Sequence, residues 1–161
     1  MKTLILVRHG KSSWDHDVGD KDRPLKNRGV NDAKIIASKL NESGFKPDLV
    51  LSSPANRALS TCRIFMSVLV WPESSLQIVD DLYDFGGSSV VRFISSLGVQ
   101  FNSVIVFGHN HAFTSIANQF GSEYISNLPT SGLVEIEFDI HDWKDMNRGV
   151  SKRIWFPRDH R

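Results

Sequence analysis

The chain opens on an unbroken apolar run, Thr3 to Val7, followed at once by Arg8-His9-Gly10. A run with no polar alternation predicts a strand covered on both faces. A second run spans Ser103 to Phe107 and ends in Gly108-His109-Asn110, and a third, Asp48 to Ser52, leads from Pro47 into Ser53-Pro54. Between them the period changes. Val30, Ala33, Ile36, Ala37 and Leu40 recur at helical spacing, with Asn27 a candidate N-cap and Gly44 a terminator. Ser53-Pro54 reads as the N-cap and first residue of a second helix, which turns Ala58, Cys62, Phe65 and Leu69 inward and stops at Pro72. Leu76 to Val79 suits a short strand, Ser88 to Leu97 a helix closed by Gly98, and Ala112 to Phe120 a further helix. Leu133 to Phe138 alternates apolar and acidic residues, the pattern of an edge strand with one wet face, and Ile154 to Phe156 suits a last strand.

Strands alternating with helices predict an α/β fold, one domain over residues 1–161. The expected architecture is a three-layer α/β/α sandwich, its central sheet mostly parallel with an antiparallel strand at the edge. A chain of 161 residues can bury a sizeable core. A formal charge of +1 supplies no basic field, so nucleic acid is not an expected partner. The single cysteine, Cys62, leaves no internal disulfide, which fits a reducing compartment. Arg8 interrupts the first apolar run too early for a signal peptide, and no segment is long enough to span a bilayer. The expectation is a cytoplasmic protein without membrane partners.

The reactive residues cluster where buried strands end. Parallel sheets bind ligands at the carboxyl ends of their strands, so the sheet should gather His9, His109, Arg8 and Arg57 at one rim. Guanidinium forks match phosphate oxygens, and a neutral imidazole can attack phosphorus. Adjacent arginines would disfavour protonation of His9, and His109 could bind an equatorial oxygen as charge builds. The polar stretch Lys11 to Lys26 is long for an unstructured connection in a compact domain, and loops of that length are often functional.

Several segments carry a resemblance. Leu6-Val7-Arg8-His9-Gly10, the opening RHGKSSW, then DRPLKNRG, SSPANRA, Leu82-Tyr83, GHNH and LPTSG resemble, in order and spacing, the histidine phosphatase superfamily with its phosphoglycerate mutase-like fold. Within it, the chain is similar to the short phosphohistidine phosphatase SixA branch, from Leu4 to about Trp143. The resemblance implies a phosphatase in which His9 is the phosphorylated nucleophile, with Arg8, Arg57 and His109 completing the phosphate pocket. It adds Arg23 as a further pocket residue, against a reading of Arg23 as a salt bridge holding the loop. Ser12 is a candidate phosphate donor or a cap of the loop. No metal or cofactor is implied. The implied substrate is phosphohistidine in a protein partner, with small phosphomonoesters or mere phosphate recognition as alternatives.

The chain departs from the family pattern at two points. His111 stands where the family usually has proline after Gly108-His109-Asn110. The general acid of larger relatives has no clear counterpart, Asp81 and Asp84 being candidates that also read as surface charge. A rival metal hydrolase built on His109 and His111, with Asp80, Asp81 and Asp84 as further ligands, lacks any HExxH or paired-cysteine spacing.

Overall fold

In the computed structural model, which describes residues 1–161, six strands form one sheet. They are β1 (Lys2–Arg8), β2 (Leu49–Ser52), β3 (Leu76–Ile78), β4 (Ser103–Gly108), β5 (Leu133–Phe138) and β6 (Val150–Trp155). Four helices connect or flank them: α1 (Asn27–Glu42), α2 (Asn56–Leu69), α3 (Ser88–Ser95) and α4 (Ala112–Phe120). The spatial order is β3-β2-β4-β1-β5-β6. The first four run parallel, and β5 and β6 run antiparallel to their neighbours.

Successive residues of a strand face opposite sides, which explains the unbroken apolar runs. Leu4 and Leu6 of β1, Leu49 and Leu51 of β2, and Val104 and Val106 of β4 enter a core shared with α3 and α4. Their alternates, Ile5, Val7, Val50, Ile105 and Phe107, enter a second core against α1 and α2. The expected three layers are therefore present. Burying one such side chain contributes roughly 1.5–3 kcal/mol, so these two interfaces supply much of the favourable free energy of the fold.

Three local expectations are corrected, the first being that Lys26 rather than Asn27 is the N-cap of α1. Leu133 to Phe138 is not an edge strand, because β6 pairs outside it and is the antiparallel edge. Glu135 is buried and bound by Arg153 of β6 at 3.1 Å, and burial pushes its carboxyl pKa up. An alternating acidic pattern thus arises from a covered ion pair rather than a wet face. The second helix starts at Asn56 with Ala55 as its N-cap, so Ser53-Pro54 does not open it. The hydroxyl of Ser53 accepts from the Ala55 N–H at 3.2 Å and is otherwise directed to the functional site.

Candidate active site

Strand register assembles the site. Arg8 at the end of β1 lies beside Gly108 at the end of β4, and Ser52 at the end of β2 lies beside Phe107. The residues that follow therefore meet: the His9 N–H donates to the Gly108 carbonyl at 3.0 Å, and the Ser53 N–H to Phe107 at 3.0 Å. The two imidazoles end with ring centroids 5.4 Å apart. From the other side, the Ser131 N–H donates to the carbonyls of Arg8 and His9 at 3.0 and 3.1 Å.

The glycine after His9 serves packing more than ligand approach. A side chain on Gly10 would lie 2.9 Å from the Gly29 carbonyl oxygen of α1, and one on Gly108 would lie 2.7 Å from the Phe113 ring. Backbone thus meets helix directly behind the nucleophile candidate. The Gly10 N–H donates to Thr61 Oγ1 of α2 at 2.9 Å, so α1 and α2 together fix the turn.

His9 is only 8% exposed, and its Nδ1 lies 2.8 Å from the Gly10 carbonyl oxygen. A carbonyl can only accept, so Nδ1 carries the proton and Nε2 keeps its lone pair. His109 is fully buried, with Nε2 2.8 Å from Ser53 Oγ, and the rings of Tyr83 and Phe85 pack on it at 5.3 and 4.9 Å.

Around His9 lies a cavity of about 280 Å³, whose lining includes Arg8, Ser12, Trp14, Asp20, Arg23 and Arg57. Arg8 Nη1 donates to the Leu128 carbonyl at 2.9 Å. Arg57, 2% exposed, donates from Nη1 to the Asp20 carbonyl at 2.7 Å and from Nη2 to Asp20 Oδ2 at 3.0 Å. Arg23 Nε reaches Asp20 Oδ1 at 3.3 Å, Nη1 donates to Ser12 Oγ at 2.7 Å, and the guanidinium stacks 3.6 Å from the Trp14 ring. Arg23 thus lines the cavity and also braces the loop. Four buried polar atoms lack a hydrogen-bond partner, namely Arg8 Nε, Arg57 Nε, His109 Nδ1 and Ser131 Oγ, and all belong to this region. Such groups are rare in folded proteins, and two of the four, Arg8 Nε and Arg57 Nε, belong to arginines that line the cavity.

Burial is the main force lowering the His9 pKa, to about 4, and the charges of Arg57, Arg8 and Arg23 add to it against the opposing Gly10 hydrogen bond. Burial likewise drives His109 down to about 3, helped by His9 and Arg57. Both rings are neutral when folded, whereas unfolded histidine takes up its proton near pH 6.5. Their stabilising contribution is therefore complete above about pH 6.5 and is lost as pH falls through about 4 and then 3. A nucleophile so held keeps working in mild acid. The enzyme's acid limb of kcat/KM is expected to bend near pH 4, and a limb near 6.5 that is not the substrate phosphate's own ionisation, at about 6, would contradict this environment for His9.

The other sequence candidates separate from the site. Asp84 accepts the N–H groups of Gly87, Ser89 and Val90 at 3.0–3.2 Å, which makes it the acidic anchor of the α3 N-terminus. Asp81 is exposed, outside the cavity lining, and His111 is exposed at the start of α4. No group of three or more His, Cys, Asp or Glu side chains is placed to hold a metal ion. Sequence reasoning missed Asp20, Tyr83 and Ser53 as site residues. Tyr83 donates its hydroxyl to Asp20 Oδ2, tying the long loop to the segment after β3. The available signal was the position of Asp20 three residues before Arg23 in a loop already suspect for its length.

The model of the histidine phosphatase superfamily, branch 1, matches residues 4–86. The protein histidine phosphatase SixA complexed with tungstate has the same fold, with a TM-score of 0.84 over 99% of both chains at 21% identity. A putative phosphohistidine phosphatase SixA from Agrobacterium tumefaciens is 26% identical, with a TM-score of 0.76 over 84% of this chain and 91% of its own. A 2,3-bisphosphoglycerate-dependent phosphoglycerate mutase of Nautilia profundicola is 36% identical over 88 residues, which is 53% of this chain and 36% of the mutase. With more than half of its length matched by the family model and its fold shared across the whole chain, the protein belongs to the histidine phosphatase superfamily, with SixA-like chains as its structural counterparts.

Proposed function

We propose that this protein is a metal-independent phosphatase that removes the phosphoryl group from phosphohistidine in a protein partner through a covalent intermediate on His9. The observation that carries the reading is the state of His9: Nδ1 is committed to the Gly10 carbonyl, leaving a neutral Nε2 lone pair in a cavity with three arginines. Nε2 attacks phosphorus, the bond to the leaving group breaks, and water then displaces phosphate from the ring. Arg8 and Arg57 hold the phosphoryl oxygens from the floor, and Arg23 does so from the loop, neutralising charge that the transition state spreads over those oxygens. Ser12 acts through Arg23, which it holds. His109 keeps its ring beside His9, fixed by Ser53 and the two aromatic rings.

The rim supports water as acceptor and a side chain on a protein as donor. Trp14 is 74% and Phe85 45% exposed, and both border the cavity. A substrate histidine can reach such a mouth, and a reaction intermediate would not be retained there as a mutase requires. The volume lies just below the roughly 300–1,000 Å³ of small-molecule sites and so suits a phosphoryl group with little else enclosed. A reducing, cytoplasmic setting fits the single buried Cys62, whose thiol burial pushes up to about 12.

The test offers wild-type protein a phosphohistidine-bearing protein and a panel of small phosphate esters, each with a strong chelator. Phosphate release from phosphohistidine should survive the chelator and exceed release from the esters in kcat/KM. Turnover of esters alone would refute the protein substrate. Phosphate binding without turnover of anything would make the protein a recognition module.

A further inference from the structure

Resting on the phosphatase reading above, we infer that Asp20 is the carboxylate that carries the proton in both half-reactions, giving it to the leaving group and taking it from the attacking water. Asp20 is the single carboxylate lining the cavity, and the candidates read from sequence are occupied or remote: Asp84 anchors α3 and Asp81 is exposed elsewhere. Its placement suits an in-line displacement. His9 lies at the buried floor, whereas the Asp20 side chain is 43% exposed at the mouth. With the phosphoryl group held between them by Arg57, the departing atom points away from His9 and toward the rim. Arg57 links the two sides, since its guanidinium binds Asp20 and its charge acts on the His9 ring.

The protonation state follows from competition for donors. In the free protein the Tyr83 hydroxyl, and after it Arg57 and Arg23, hold the Asp20 pKa down at about 2, so the group is charged. A phosphoryl group draws on the same two guanidinium groups and brings its own negative charge beside the carboxylate. Both changes favour the acid form of Asp20. In the first step Nε2 of His9 bonds to phosphorus, the phosphorus–leaving-group bond breaks, and the leaving atom takes the proton from Asp20. In the second, water bonds to phosphorus, the phosphorus–Nε2 bond breaks, and the proton of the water returns to the Asp20 carboxylate. His9 ends neutral, phosphate and the protonated leaving group are the products, and the proton that Asp20 takes up from solvent as substrate binds returns to solvent when phosphate leaves.

The experiment compares wild type, Asp20→Asn and Asp20→Ala on p-nitrophenyl phosphate, whose leaving group needs no proton, and on phenyl phosphate, whose leaving group does. General acid catalysis is worth about 10²–10⁴-fold. Both variants should lose at least about 100-fold in kcat/KM on phenyl phosphate but at most about tenfold on p-nitrophenyl phosphate. Equal losses on the two esters, with recovery in Asp20→Asn, would make Asp20 a positioning residue for Arg57 and overturn the proposal. Tighter phosphate binding in Asp20→Ala with no difference between the esters would make it a mere occupant of the anion site, with the same consequence. Should Asp20→Ala not fold, the isosteric Asn variant alone separates these results. Inactivity of wild type on both esters and on phosphohistidine protein would instead overturn the phosphatase reading itself.

Discussion

His9→Ala is expected to reduce phosphate release by about 10⁴-fold or more and to abolish any phosphorylated enzyme species. The size of the effect follows from the absence of a substitute. His109 is the other imidazole within reach, but it is fully buried, its Nε2 is engaged by Ser53, and it lies beneath the rings of Tyr83 and Phe85. Water attacking substrate directly would meet the same arginines but would lose the split of one displacement into two easier steps. Arg8, Arg23 and Arg57 remain in the variant, so it should still bind inorganic phosphate. The measurement is acid-quenched turnover with mass spectrometry: an acid-labile adduct of one phosphoryl group on His9 in wild type, and none in the variant. Undiminished turnover in folded His9→Ala would remove the covalent mechanism altogether.

How far such a site can be read from sequence depends on whether its geometry is set by strands or by loops. Thr3–Val7 and Ser103–Phe107 declare themselves because both faces of each strand are covered, and a parallel register then obliges the next residues, His9 and His109, to be neighbours. Arg57 follows from its place near the start of α2. For Asp20 the local pattern offers only its place three residues before Arg23 in a long loop. Its contacts come from a loop crossing to α2 and to the segment after β3, so its partners Arg57 and Tyr83 are 37 and 63 residues away. Asp84 shows the opposite failure: read as a candidate acid or as surface charge, it instead binds the first N–H groups of α3. Glu135 misled because the residue that buries it, Arg153, lies on a strand whose pairing is tertiary. Ser53 carries a strong N-cap signal with Pro54 behind it, but its hydroxyl is held by His109, and the helix begins three residues later.

Arg57→Ala should cost about 10²–10³-fold in kcat/KM, the scale for removing one preorganised donor from a developing oxyanion. Arg57→Lys should recover little of it, because an ammonium cannot span both acceptors on Asp20 and a phosphoryl oxygen with one planar fork. The variant carries a second, independent signature in its pH profile. Arg57 is one of the charges that lower the His9 pKa, so its loss should move the acid limb upward from about 4. The limb should stay below 6.5, since burial is the larger cause. Asp20, still partly exposed, can exchange the lost guanidinium for water and for its remaining partners Tyr83 and Arg23, so the fold should survive. Thermal melting checks that point, and the pH–rate profile checks the rest. A fall in rate with no movement of the acid limb would place Arg57 on the substrate alone. An active lysine variant would mean that charge, rather than the fork held by Asp20, is what the site requires.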